Sequence, residues 1–117
     1  MLKNLLKFFF KNKLISIILF LATATNIAIW INLLRIKPTD KLIPLHYNIY
    51  FGIDYLGKWH QIFTLPAAGF MILSINFILA LFIYFKDRLI AYILIFASFL
   101  IQIILFLASM AIVWINI

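Results

Sequence analysis

The sequence predicts an all-α membrane protein: three transmembrane helices with a short amphipathic N-terminal segment and a structured outer loop. Composition is the first reason. The 117 residues are 68% hydrophobic with a mean hydropathy of +1.18, whereas a soluble domain is nearer half apolar. The second is the distribution of that excess into three runs, 14–34, 62–85 and 89–115, none of which contains a charge. They hold 21, 24 and 27 residues, and about 20 residues at roughly 1.5 Å rise cross a hydrocarbon core of about 30 Å. The third run is long enough to tilt or to overhang the interface. The whole chain, 1–117, reads as a single membrane domain.

The elements follow in order. In "MLKNLLKFFFKNK", Leu2, Leu5, Leu6 and Phe9 have helical spacing, while Lys3, Lys7 and Lys11 run down another face. That is the pattern of an amphipathic helix lying in the headgroup layer; a basic flank that merely sets orientation has the same composition. A secretory signal peptide is a competing reading, with Ala22-Thr23-Ala24 as its cleavage site. The apolar sequence continues through "NIAIWINLL" to Leu34, so an uncleaved anchor is expected.

The outer loop, about 35–61, holds most of the uncommon residues. From Leu45 to Asp54 the side chains alternate, with Leu45, Tyr47, Ile49, Phe51 and Ile53 apolar and His46, Asn48, Tyr50, Gly52 and Asp54 mostly not. Period two predicts one extended segment, packed as a cap over the bundle or against a partner because backbone at an interface needs hydrogen-bond partners. His46, Asn48, Asp54 and His60 are chemically able to ligate a metal, but 14 residues separate the histidines and no ligand spacing connects them. With Asp40 and Asp54 as the outer carboxylates, no loop serine and no glycine-rich phosphate cradle, catalysis is not expected. The sequence reading is a non-enzymatic protein with no catalytic residue, no metal site and no cofactor. A pH-sensitive histidine pair and a purely structural polar cap are the other readings of this loop.

Span two opens with Pro66 in its first turn, where the missing N–H costs little, and "PAAG" allows close approach of a neighbour. Only "KDR" separates spans two and three, which predicts a tight antiparallel hairpin. Because lipid removes the hydrophobic drive between helices, association relies on close packing and interhelical hydrogen bonds. Each span has a suitable stripe: Ala22, Thr25, Ile29 and Asn32; Gly69, Leu73, Asn76 and Ala80; Ser98, Gln102 and Ser109. Asn26, Asn76 and Gln102 each fall within about two residues of mid-span, about 3 Å at helical rise. Three amides at one depth can satisfy one another as structural glue; a polar relay or binding site within the membrane is the competing reading. No span carries an Asp, Glu, Lys, Arg or His side chain, which argues against a pump or proton channel.

Ten Lys and Arg oppose Asp40, Asp54 and Asp87, a net charge of +7. The basic residues cluster at span ends, where anionic lipid headgroups are the ordinary partners, and nucleic acid is not expected in the absence of a soluble basic domain. With the N-terminus cytoplasmic, Lys3, Lys7, Lys11, Lys13, Lys86 and Arg88 lie inside, against Arg35, Lys37, Lys41 and Lys58 outside. Six against four favours this orientation, with the C-terminus outside. Trp30, Trp59 and Trp114 then all fall at the outer interface. The absence of cysteine excludes disulfides and thiolate chemistry.

"KLIPLHYNIYFGID" followed at once by an apolar span resembles a short bacterial membrane domain of unknown function. That domain is found at the N-terminus of immunity proteins that protect against a secreted killing peptide. The matching positions are Ile43-Pro44, His46, Asn48, Gly52 and Asp54, and the likeness covers about 40–85. Gly52 is displaced by one residue, and "YFGIDYLGKW" replaces the family's polar, glycine-rich turn. The resemblance implies a multi-pass protein of the bacterial inner membrane with a shared His-Asn-Gly-Asp loop, and an immunity- or signalling-like role. The candidate recognition loop is therefore His46, Asn48, Gly52, Asp54, Trp59 and His60. Its partner would be a peptide, a lipid or a membrane protein. The alternative is an accessory structural subunit of a larger membrane complex, or a homo-oligomer, for which the stripes on all three spans would supply packing surface.

Overall fold

The computed structural model describes residues 2–48 and 52–116; the side chains of 46–48 and 53–55 lie outside the described residues. Helix α1, Leu2–Lys11, precedes α2, Lys13–Leu33; strands β1, Ile43–Asn48, and β2, Gly52–Gly57, follow. A 3-10 turn, Trp59–Phe63, leads into α3, Thr64–Ile83, and then α4, Arg88–Asn116. Three stretches, Lys13–Leu33, Trp59–Ile83 and Arg88–Asn116, are long and apolar enough to cross a membrane. Large apolar side chains, Phe20, Leu107 and Trp114 among them, are exposed, while Asn26, Ser98, Gln102 and Ser109 are buried.

The N-terminal segment is helical. Asn12 separates it from α2: its backbone is extended, and its Oδ1 accepts from the N–H groups of Leu14 and Ile15 at 3.1 and 3.2 Å. An asparagine at this place satisfies first-turn donors that have no intrahelical partner. Helix α1 turns back onto the bundle rather than continuing it. Phe9 is fully buried, edge-on to Phe77 and Tyr84 with both centroids at 5.6 Å, in a core with Ile15, Ile18, Ala80, Leu81, Ala91 and Ile95. Lys3, Lys7 and Lys11 stay exposed.

The structure departs from an all-α fold in the outer loop. Instead of one extended segment, two strands pair antiparallel, with Ile43 opposite Gly57 and Asn48 opposite Gly52. Self-pairing supplies the backbone partners that a single extended strand would lack. The ladder is irregular between Pro44 and Tyr47, where proline has no N–H to give. Leu45 opposes no residue in that register and packs instead onto a second core of Ile29, Leu33, Ile36, Ile43, Ile62, Ile112 and Val113. Residues from α2, β1, the 3-10 turn and α4 thus meet there, which fixes the cap to the bundle.

Helix α4 lies between α2 and α3, which touch each other less than either touches it. The three stripes meet in this interior. Ala22, Ile29 and Asn32 of α2, Gly69, Leu73 and Ala80 of α3, and Ser98, Gln102 and Ser109 of α4 are buried; Thr25 and Asn76 are only half-buried, and Thr25 Oγ1 donates to the Leu21 carbonyl of its own helix at 2.7 Å.

Candidate functional site: a buried amide pair and a cleft at the cap

Of the three mid-span amides, the structure joins two. Asn26 Nδ2 donates to Gln102 Oε1 at 3.0 Å and to the Pro66 carbonyl at 3.0 Å. Gln102 Nε2 donates to the Gly69 carbonyl at 2.8 Å. Trp30 Nε1 completes the set by donating to Asn26 Oδ1 at 3.1 Å. One amide from α2 and one from α4 thereby hold two carbonyls of α3, so all three spans are tied at one point.

Asn76 does not join them. It is half-buried, and its Nδ2 donates to the Leu94 carbonyl at 3.2 Å. The physical reason is depth. The level of the pair on α3 is Pro66–Gly69, some seven residues before Asn76, or about 10 Å at helical rise. Mid-points of apolar runs misjudge depth because α3 starts close to the pair while α4 extends far beyond it. From Gly69 to the start of α3 is about 7 Å, from Gln102 to the end of α4 about 21 Å. That overhang is used. Asn116 Nδ2 donates to the Pro44 carbonyl at 2.7 Å, and Ile112 and Val113 enter the cap core.

A second polar contact lies nearer the cap, where Asn32 Nδ2 donates to Ser109 Oγ at 3.0 Å and Ser109 Oγ to the Phe106 carbonyl at 2.7 Å. Among the described residues, no buried side-chain nitrogen or oxygen lacks a partner. The interior is polar but saturated.

The cap is different. An open cleft of about 580 Å³ is lined by Pro38, Thr39, Asp40, Leu42, Lys58, Trp59 and His60. Trp59 is held by its indole N–H, which donates to the Ile36 carbonyl at 2.8 Å, and by edge-on contact with Phe63 at 5.1 Å. Gln61 Oε1 accepts from the Lys58 N–H at 2.8 Å, which orders the entry to the 3-10 turn. Asp40, Lys58 and His60 are exposed. The cleft therefore offers both charge signs, an imidazole and an indole wall.

Of the residues that the sequence marks in the loop, Trp59 and His60 line this cleft. The side chains of His46, Asn48 and Asp54 lie outside the described residues; their backbone, with Gly52, belongs to the hairpin. Of the three tryptophans expected at an interface, two bond inward, Trp30 to Asn26 and Trp59 to Ile36, while Trp114 is exposed. Sequence reasoning missed Asp40 and Lys58 as neighbours of His60, and missed Asn12. For Asn12 a signal exists: an asparagine between two helical runs, "FFFKNKLIS", is an N-cap pattern. For the sharing of one cleft by Asp40 and Lys58 none does, because 18 positions of chain separate them.

Comparison of the chain with protein-family models, curated proteins and solved structures finds no match.

Proposed function

We propose that the chain is a small non-enzymatic integral membrane protein whose outer cap recognises a peptide or a membrane-protein partner. The observation that carries this is the contrast between the two polar regions. The bundle interior pairs its amides internally, whereas the Asp40–Lys58–His60 cleft presents polar groups to the outside around a fixed indole. A cleft with few polar groups and an aromatic anchor is the ordinary make-up of a recognition site. The likeness of Ile43-Pro44, His46, Asn48, Gly52 and Asp54 to the immunity-protein membrane domain supports an immunity- or signalling-like role in a bacterial inner membrane. The excess of Lys and Arg on the α1 side supports an inside N-terminus and an outside C-terminus.

Accessory-subunit function is the second reading. An apolar groove of about 650 Å³ between α2 and α3, lined by Phe20, Thr23, Phe70 and Ser74 among others, is what favours it. The buried stripes do not, since they pack against one another.

Native mass spectrometry of the chain extracted into lipid nanodiscs from its source membrane separates the two. Recognition through the cap predicts a partner that is retained by the wild type and lost in the Asp40→Ala/His60→Ala variant at unchanged protein level. A fixed set of subunits that survives that variant would sink the recognition reading.

A further inference from the structure

At the opposite end of the bundle, α1 folds back to form a pocket that the cap does not need. It has a volume of about 230 Å³ and is lined by Phe8, Lys11, Asn12, Tyr84, Phe85 and Arg88. We propose that it binds the phosphate headgroup of an anionic phospholipid. The inference rests on the membrane reading and is independent of the outer cap.

Four features carry it. First, two cations from distant parts of the chain converge there, one at the end of α1 and one at the start of α4. Among the described residues, no carboxylate lines the pocket. The nearby Asp87 is turned to the first turn of α4, where its Oδ1 accepts from the Ile90 N–H at 3.3 Å. Second, both cations are held against rings: Lys11 Nζ lies 5.8 Å from the Phe8 centroid, and Arg88 Cζ 5.2 Å from that of Tyr84. Cation–π contact restrains them without using their donor hydrogens on a competing acceptor. Third, Asn12 Nδ2 donates to both the Tyr84 hydroxyl, at 3.4 Å, and the Tyr92 hydroxyl. Each phenol acts as acceptor in that bond and keeps its own O–H to give. Tyr84, which lines the pocket, therefore has a proton to offer an anion. Fourth, the walls are apolar rings, Phe8 edge-on to Phe85 with centroids 6.0 Å apart. Phenyl rings are among the side chains that interfacial helices bury at the boundary between acyl chains and headgroups.

A phosphate diester satisfies every one of these groups at once, with a bidentate guanidinium, an ammonium and a phenol as donors. Diffuse attraction of basic residues to an anionic surface would not distinguish these residues from Lys3 and Lys7. That difference supplies the test.

The full chain is reconstituted in nanodiscs of phosphatidylcholine doped with phosphatidylglycerol, and retained lipid is counted by native mass spectrometry. Reconstitution itself reports insertion, so failure to insert and failure to bind are read separately. Lys11→Gln/Arg88→Gln should lower phosphatidylglycerol retention roughly tenfold or more, by loss of two charge-assisted hydrogen bonds. Lys3→Gln/Lys7→Gln, the same change in charge on the exposed face of α1, should lower it less than about threefold. Should the double variant at the pocket fail to fold, Lys11→Gln alone carries the comparison against Lys7→Gln, both residues being exposed. Equal losses in the two pairs overturn the site. Equal retention of phosphatidylcholine and phosphatidylglycerol by the wild type does so as well. Inorganic phosphate is added to chain in pure phosphatidylcholine as the last arm. If it shields Lys11 from acylation as fully as phosphatidylglycerol does, the commitment to a lipid is wrong.

Discussion

Gly69→Ala offers the sharpest test of how the bundle is held together. A Cβ at this position would lie 2.7 Å from Leu105 Cδ1, 2.9 Å from Gln102 Oε1 and 3.2 Å from Asn26 Nδ2. Leu105 is only partly buried and can rotate aside. Gln102 cannot, because it is fully buried and both ends of its amide are engaged. Displacing it weakens the bonds to Asn26 and to the Gly69 carbonyl, about 0.6 kcal/mol each and about 1.2 kcal/mol together. Overpacking adds about 1–3 kcal/mol. Better helix propensity returns roughly 1 kcal/mol. The expected net loss is about 2 kcal/mol, measured by steric trapping or SDS titration in bicelles. Gln102→Ala removes the group that the new methyl meets, so the double variant should be less destabilised than the sum of the single changes, with a coupling of about 1 kcal/mol. A Gly69→Ala protein as stable as the wild type would refute close approach of α3 to the amide pair. Strict additivity with Gln102→Ala would refute the contact itself.

Asn12→Ala removes the cap of α2 and both tyrosine contacts. It should cost about 1 kcal/mol or more and raise amide exchange through α1 in hydrogen-exchange mass spectrometry. Asn76→Leu should change stability by less than about 0.6 kcal/mol in the same titration, since the Leu94 carbonyl keeps its bond from Ser98 Oγ at 2.9 Å. A loss matching that of Asn26→Leu would mean that Asn76 belongs to the buried pair after all. Asn116→Ala frees the Pro44 carbonyl and should speed proteolysis in the hairpin while leaving the unfolding midpoint of the bundle within about 0.5 kcal/mol of the wild type.

What is legible in this sequence is what depends on runs and periods. Uncharged stretches of membrane length locate the three long helices to within a residue or two at most ends, because the length requirement acts on the chain locally. The faces are legible for the same reason. Residues three or four apart share a side of a helix, so the stripes through Ala22 and Asn32, Gly69 and Ala80, and Ser98 and Ser109 are the ones that become buried. The apolar face of residues 2–9 likewise marks a helix, though not that Phe9 would be its buried anchor.

What only the tertiary structure decided is relative depth and closure. Which amides meet depends on how far each helix slides along its neighbours, and no local period encodes that slide. The packing of α4 on both α2 and α3 leaves Asn26 and Gln102 paired with α3 carbonyls, while Asn76 lies about two turns away. Period two was present in 45–54, but one extended segment and the two arms of a hairpin share that period, and only pairing distinguishes them. The two clefts are further still from the sequence. Asp40, Lys58 and His60 line one cleft, and Lys11 and Arg88 another, because the cap folds over one end of the bundle and α1 folds back under the other. Convergence of residues 18 and 77 positions apart is a property of the folded chain, and there the candidate sites lie.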